Sequence, residues 1–265
     1  MEIMKPLIHR LFYYFGYKIS KRQYFQADFE CLLSLFFYEV PRDFFFIQIG
    51  SNDGKKNDPI YNFILKYKLT GLLVEPQKEV FKSLLQNYRG QDNLIYANVA
   101  ISQKDGFQKM YSIKKSFQRV YNKQIRMSGG DATGIASFNK DHIRKTLKSN
   151  MSSFFKDKKI DDYIDKIEVE TISFKTLLRR YNIKNINLLQ IDTEGFDYEI
   201  IKMFDFEKYH PKLINYESRH LSDSERIKCE ILLESKGYTL FKYKGDTCAI
   251  HCPPDFKRKD IGKKS

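Results

Sequence analysis

No stretch of this 265-residue chain is long and apolar enough for a membrane-spanning helix. The nearest, Phe29 to Val40, is interrupted by Glu30 and Glu39. The N-terminus lacks a small-residue cleavage site after an apolar core, and Arg10 and Lys18 stand among its aromatics. A secretory signal is therefore not expected, and a cytoplasmic protein is. Cysteine is scarce: Cys31, Cys229, Cys248 and Cys252 are spread along the chain, which suits reduced thiols. Cys248, His251 and Cys252 lie close together, but no second ligand pair at zinc-site spacing accompanies them, so ordinary packing is expected. There is no internal repeat and no recognition motif for nucleic acid, which is not expected as a partner. Acids are outnumbered: 33 against 46 basic residues gives a net charge of +13. The surplus gathers at Lys257-Arg258-Lys259, at Lys263-Lys264, and at Arg144, Lys145, Lys148, Lys156, Lys158 and Lys159. Such a surface favours an anionic partner, either a phosphorylated or nucleotide-activated small molecule or an anionic membrane surface. Hydrophobic residues make up 42% and aromatics 15%, so the chain is not disordered and has material for one sizeable core.

What the chain does have is a bulky apolar run, Phe44 to Ile49, that stops at Gly50 and passes through Ser51, Asn52 and Asp53 to Gly54. Such a run reads as a strand buried on both faces of a sheet. The two glycines permit a tight turn and let a ligand approach the backbone. From here strands and helices alternate. Strands are expected at 44–50, 70–76, 94–101, 169–172, 186–192 and 213–217, with helices near 58–68, 77–88, 174–181, 198–204 and 223–236. A last pair, 238–243 and 247–250, flanks Gly245 as a β-hairpin. The alternation predicts a doubly wound, mostly parallel α/β sheet.

Two stretches depart from the alternation. Residues 1–41 read as a helical extension whose aromatic faces (Phe12, Tyr13, Phe15; Phe29, Leu32, Leu33, Phe36) cover the sheet, a partner subunit or a membrane surface. A homodimer and a peripheral membrane contact are thus both open. Residues from about 103 to 167 form a lysine-rich insertion, either a functional lid or a surface excursion, with a short strand near 109–113 and a helix near 140–150. The main domain is expected over 42–252, with 253–265 as a basic tail.

In such sheets ligands sit beyond the C-terminal ends of the strands. Read in order, those ends carry Gly50–Gly54, Glu75, Asn98, Asp192 with Glu194, and Glu217 with His220. Acids seldom stay buried without partners, so a row of them converging on one crevice points to a ligand. Helix capping by Asp192 would explain only one member. Glu75 follows the glycine turn by roughly 20 residues, where an acid accepts hydrogen bonds from both hydroxyls of a ribose. The G-x-G-x-x-G pyrophosphate fingerprint is missing. Asp53 inside the turn would repel a pyrophosphate and suits a cationic or zwitterionic ligand. A nicotinamide oxidoreductase is thereby disfavoured.

Several segments occur in a recognisable order between about residues 43 and 250: Gln48-Ile-Gly-Ser-Asn-Asp-Gly54, Val74-Glu-Pro76, Asn98-Val-Ala-Ile-Ser102, Gly134-Ile-Ala-Ser-Phe138, Thr171-Ile-Ser-Phe-Lys-Thr-Leu177 and Leu189-Gln-Ile-Asp-Thr-Glu-Gly195. Together they resemble the FkbM family of S-adenosylmethionine-dependent methyltransferases. The resemblance implies a class I methyltransferase, Rossmann-like fold: a seven-stranded, mostly parallel sheet with an antiparallel C-terminal hairpin. It implies S-adenosyl-L-methionine as cofactor, with Gln48, Gly50, Ser51, Asn52, Asp53 and Gly54 against its methionine part. Glu75, with Pro76 beside it, would take the ribose. Asn98 and Ala100 would lie near the adenine, and Asp192 close to the methyl group. The family's first motif often opens with an acid; Gln48 stands in its place here. The family largely transfers methyl groups to oxygen, often on sugars or polyketide-type natural products.

A sugar hydroxyl must lose its proton to attack a methyl group. His220, just beyond a strand end, is the first candidate for general base, with Asp192 and Glu194 as alternatives. A second route is Mg²⁺ or Mn²⁺ held by Asp192 and Glu217. Otherwise Glu217 orients the substrate or pairs with Arg219 or a nearby lysine. Ser137, Glu217 and His220 are the candidate substrate-binding residues. The expectation is an O-methyltransferase for a sugar hydroxyl on an anionic carbohydrate, a nucleotide-activated sugar or surface-polysaccharide precursor. A lipid-linked or natural-product acceptor is the runner-up. A non-catalytic scaffold on the same fold would predict decay of Gly50, Asp53, Gly54, Glu75 and Asp192, yet all are present.

Overall fold

Phe45–Ile49 forms the central strand, β1, and all its residues but Phe45 are buried. A strand flanked on both sides and covered on both faces has no use for polar alternation, which is why the sequence reads as a continuous apolar run. The computed structural model describes residues 33, 34, 36, 37, 43–125, 131–243 and 245–251. After β1 come α1 (Tyr61–Tyr67), β2 (Thr70–Val74), α2 (Lys78–Asn87), β3 (Leu94–Ala97), β4 (Ala100–Ile101), β5 (Gly106–Ile113), α3 (Lys115–Ile125), β6 (Ala136–Ser137) and α4 (Lys140–Asn150). The chain continues with β7 (Ile164–Ile172), α5 (Phe174–Arg180), β8 (Leu188–Ile191), α6 (Asp197–Met203), β9 (Leu213–Glu217), α7 (Asp223–Ser235), β10 (Tyr238–Tyr243) and β11 (Asp246–His251).

The main sheet has seven strands in the order β10-β11-β9-β8-β1-β2-β3. Strands β3, β2, β1, β8 and β9 run parallel, and the hairpin β10–β11 joins β9 antiparallel. Successive side chains enter opposite cores. Ile47, Leu72 and Leu189, aligned across three strands, pack with Leu177, Ile200 and Leu233 on one face. Phe46, Leu73 and Leu188 pack with Ile60, Ile64 and Leu84 on the other. From the N-terminal extension, Leu33 is fully buried in that second layer and Phe36 packs against it. Phe12, Tyr13, Phe15, Phe29, Leu32, Cys252 and the tail lie outside the described residues. Among the described residues no helix is long and apolar enough to cross a membrane.

The expected strand at 94–101 proves to be two. The Asn98 side chain donates to the carbonyls of Glu75 and Pro76, and the chain leaves the main sheet there. Ala100–Ile101 then pairs with β7 in a second, four-stranded sheet of order β4-β7-β5-β6. In the insertion, β5 and β7 pair antiparallel over their full lengths, from Gly106 opposite Thr171 to Ile113 opposite Ile164, so both strands exceed the short ones expected. Their outer faces carry lysine and glutamate, which blurred the pattern. Helix α3 was not expected, although Phe117, Tyr121 and Ile125 recur at helical spacing. With Ile143 and Leu147 of α4 they form a separate small core. The basic cluster on α4 is partly neutralised: Arg144 reaches Asp141 at 2.6 Å and Asp161 at 2.7 Å.

Candidate active site

The turn after β1 is shaped by contact with β8. Gly50 has φ +79°, and a Cβ there would overlap the Asp192 carbonyl oxygen and lie 2.8 Å from its carbon. Only glycine supplies both the conformation and the clearance. The amides of Gly50 and Ser51 both donate to the Val74 carbonyl at 3.0 Å, and the Ser51 hydroxyl accepts the Val74 amide at 3.1 Å. These bonds fix the turn against the end of β2, where Glu75 follows. Its carboxylate accepts the Asn52 amide at 3.0 Å and the Gln77 amide at 2.8 Å. Burial pushes Glu75 up to about 7, against the pull of those two donors.

A cleft of about 940 Å³ opens over these strand ends. Its walls include Gln48, Gly50, Ser51, Asn52, Glu75, Pro76, Ala100, Ser137, Asp192, Glu194, Glu217 and His220. The volume suits a nucleoside-sized ligand together with part of a second. Three expected residues stand behind the wall instead. Asp53 accepts the amides of Lys55 and Lys56 at 3.0 and 2.8 Å. A Cβ on Gly54 would lie 2.5 Å from the Tyr88 ring, so Gly54 seats the turn on α2. Asn98 braces the carbonyls of Glu75 and Pro76. Beside Gln48 lies Asp58, whose Oδ1 accepts the Ile60 amide at 2.9 Å; burial pushes it up to about 7. The inserted segment closes the far side. Gln77 donates to the Thr133 carbonyl at 2.9 Å, and Lys56 pairs with Asp131 at 2.7 Å.

At the other end of the cleft Asp192, Glu194 and Glu217 each bring a carboxylate oxygen within 4.8 Å of the other two. Glu217 is buried, with Oε1 2.9 Å from Arg219 and, among the described residues, no hydrogen-bond partner at Oε2. Burial first, then the charges of Asp192 and Glu194, drive its pKa well up. Asp192 opens onto the cleft, and the protein packed around it, together with Glu194, Asp197 and Asp246, raises its pKa too. Asp192 does not cap α6. That region is tied by Asp197, which sequence reasoning missed. One Asp197 oxygen accepts the Glu217 amide at 3.1 Å; the other accepts the Thr193 amide at 3.3 Å and hydroxyl at 2.8 Å. Fully buried, it is pushed up to about 6. An acid opening a helix just after Gly195 was the available signal.

His142, on α4 of the insertion, was also missed. Its Nε2 is 3.3 Å from Glu194 Oε2, and His220 Nε2 is 3.5 Å from the same oxygen. His220 Nε2 also stands 3.6 Å from Glu217 Oε1, and the two imidazoles meet edge to face with centroids 5.0 Å apart. Burial first, then the neighbouring His142 and Arg219, lowers the His220 pKa, with Glu194 opposing. Ser137 lies near the Glu194 carbonyl, its hydroxyl 3.5 Å away. No signal in the sequence joins position 142 to position 194.

A family model described as the methyltransferase FkbM domain matches residues 48–240. No curated protein matches the chain. The methyltransferase FkbM from Methylobacillus flagellatus KT is 9% identical to it, with a TM-score of 0.45 over 85% of this chain and 48% of that one. This chain therefore spans about half the length of that protein. The fibrillarin pre-rRNA processing protein of Methanococcus jannaschii is 12% identical, with a TM-score of 0.36 over 79% of this chain and 67% of that one. A fibrillarin/Nop5p complex contains a chain that is 11% identical, with a TM-score of 0.38 over 83% and 78%. The sheet has the seven strands and antiparallel final hairpin of a class I methyltransferase. With most of its length inside the matched domain, the chain belongs to the FkbM methyltransferase family.

Proposed function

We propose that this protein is an S-adenosylmethionine-dependent O-methyltransferase acting on a sugar hydroxyl of an anionic carbohydrate, a nucleotide-activated sugar or surface-polysaccharide precursor. One observation carries the reading. A single cleft joins a glycine turn and a buried strand-end acid to a second end crowded with carboxylates and imidazole. The first end fits the cofactor. Gly50 lets the turn close onto the Asp192 carbonyl, where any side chain would clash, and Glu75 keeps lone pairs beyond the two amides it accepts, enough for a ribose diol. The Gly50–Asn52 backbone would face the methionine part, and Ala100 leaves room for the adenine. When bound, S-adenosylmethionine supplies an electrophilic methyl group on a sulfonium centre.

The protein's own task is then alignment and proton removal. Asp192 stands where β1 and β8 meet, beside the Gly50 turn, and so borders both ends of the cleft. Ser137 and Glu217 line the acceptor end. His220, held beside Glu194, accepts the hydroxyl proton in the ion-free protein. Glu217 Oε2, without a hydrogen-bond partner among the described residues, and Asp192 also offer oxygen donors that fit Mg²⁺ or Mn²⁺, which would lower the hydroxyl's pKa. The net charge of +13 supports an anionic acceptor. The test is calorimetric titration with S-adenosylhomocysteine, followed by methyl transfer from labelled cofactor to a panel of nucleotide sugars. Micromolar binding and transfer to a sugar hydroxyl are expected. Binding with transfer only to lipid-linked or natural-product acceptors would overturn the substrate class, and no binding would overturn the cofactor.

A further inference from the structure

We infer that His142, Glu194 and His220 form a binding site for a first-row transition-metal dication, distinct from the oxygen-only set of Asp192 and Glu217. Three elements distant in sequence supply the ligands. Glu194 follows β8, His220 follows β9, and His142 comes from α4 of the insertion. Their donor atoms already have the spacing of a coordination shell. Ligands at about 2.0–2.2 Å from a common ion lie roughly 3–3.6 Å from one another. His142 Nε2 and His220 Nε2 lie 3.3 and 3.5 Å from Glu194 Oε2, and one donor atom from each of the three residues falls within 4.8 Å of the other two.

Charge points the same way. Glu217, the buried member of the oxygen set, has the Arg219 guanidinium at 2.9 Å. Among the described residues the ion-pair contacts of Glu194 are the two imidazoles, with no lysine or arginine. Both rings bring the same nitrogen close to one carboxylate oxygen, His142 within hydrogen-bond reach, so a dication would replace the shared proton contacts with three ligand bonds. Glu194 itself has φ +53°, a left-handed conformation that costs a non-glycine residue free energy. Two imidazoles with one carboxylate select Mn²⁺, Fe²⁺, Co²⁺, Ni²⁺ or Zn²⁺ over Mg²⁺, which prefers oxygen. Glu194 and His220 line the cleft, so the ion's open positions would face the acceptor end. In that state His220 is a ligand and Asp192 is the acid left to accept the proton. Binding of the ion does not depend on the proposed function; only its role in methyl transfer does.

The test uses metal alone on the full chain. Co²⁺ titration is followed by visible absorption and calorimetry, with Mg²⁺ as competitor, on wild type, His142→Ala and Asp192→Asn, each checked by thermal melting. One equivalent bound, at least tenfold weaker in His142→Ala and weakened less in Asp192→Asn, which removes a nearby charge but no ligand, is expected. Excess Mg²⁺ is not expected to displace it. Nitrogen hyperfine coupling in the pulsed electron paramagnetic resonance of Mn²⁺-loaded wild type reports imidazole ligation without any variant. No Co²⁺ binding, absence of nitrogen coupling, or binding lost in Asp192→Asn but kept in His142→Ala would each overturn the site.

Discussion

Replacing Glu75 with glutamine removes a charge that the fold holds at a cost, and the size of that cost follows from where the carboxyl sits. Buried at the end of β2, Glu75 titrates at about 7, raised from an ordinary value of 4.5. A carboxyl with a raised folded pKa binds its proton more tightly in the fold. Its contribution therefore favours the folded state at low pH and is lost as pH rises from about 4.5 through about 7. The full displacement corresponds to ~3 kcal/mol, most of which falls between pH 5 and pH 8. Glutamine does not titrate. The difference in unfolding free energy between wild type and Glu75→Gln, measured by urea denaturation, is expected to move by roughly 2–3 kcal/mol in the variant's favour across that interval. Asp58 and Asp197, pushed up to about 7 and about 6, tilt both proteins alike and cancel in the difference. A difference constant to within ~0.5 kcal/mol would refute the buried, proton-retaining carboxyl. At pH 8, where the wild-type carboxylate is charged, the same substitution should weaken S-adenosylhomocysteine binding roughly tenfold or more through the lost ribose acceptor.

Gly50→Ala forces a side chain into left-handed backbone against the Asp192 carbonyl; strain and overlap together should cost ~2–6 kcal/mol by chemical denaturation, and a loss under ~1 kcal/mol would contradict the tight β1–β8 approach. Asp192→Ala should lower methyl transfer roughly 10²–10⁴-fold while thermal melting stays near wild type; near-normal turnover would remove Asp192 from the mechanism. Asp197→Ala leaves the amides of Glu217 and Thr193 without their acceptor and should destabilise the protein by ~2–4 kcal/mol. A stable Asp197 variant with intact activity would show that the β8 and β9 ends hold their places without it.

The main sheet was legible because burial on both faces writes itself as uninterrupted apolar runs, and parallel strands must be joined by helices. Five strand ends could thus be read in order, with their acids, before any contact was known. What could not be read is which of those residues face the ligand and which support the ones that do. Asp53 and Gly54 sit in the same motif as Gly50, and Asn98 in that of Ala100, yet their groups are spent on local amides, a tyrosine ring and two carbonyls. Local sequence specifies the turn; only the packing of α2 and β2 against it decides which side of the turn is the wall.

The insertion shows the opposite failure. Its strands are half-exposed and studded with lysine and glutamate, so their period-2 signal is weak, and their pairing spans from Gly106 to Thr171. Antiparallel pairing of that reach brings α4 back over the ends of β8 and β9, and so carries His142 to Glu194. A histidine between Asp141 and Ile143 on an exposed-looking helix carries no mark of that destination. The carboxylate end of the cleft is therefore made by tertiary structure: the sheet contributes acids and His220 at positions its topology dictates, and the insertion adds the second imidazole of a mixed nitrogen and oxygen cluster. Relatives that keep the strand-end acids but differ in this insertion would share the glycine-turn end of the cleft and differ at the other.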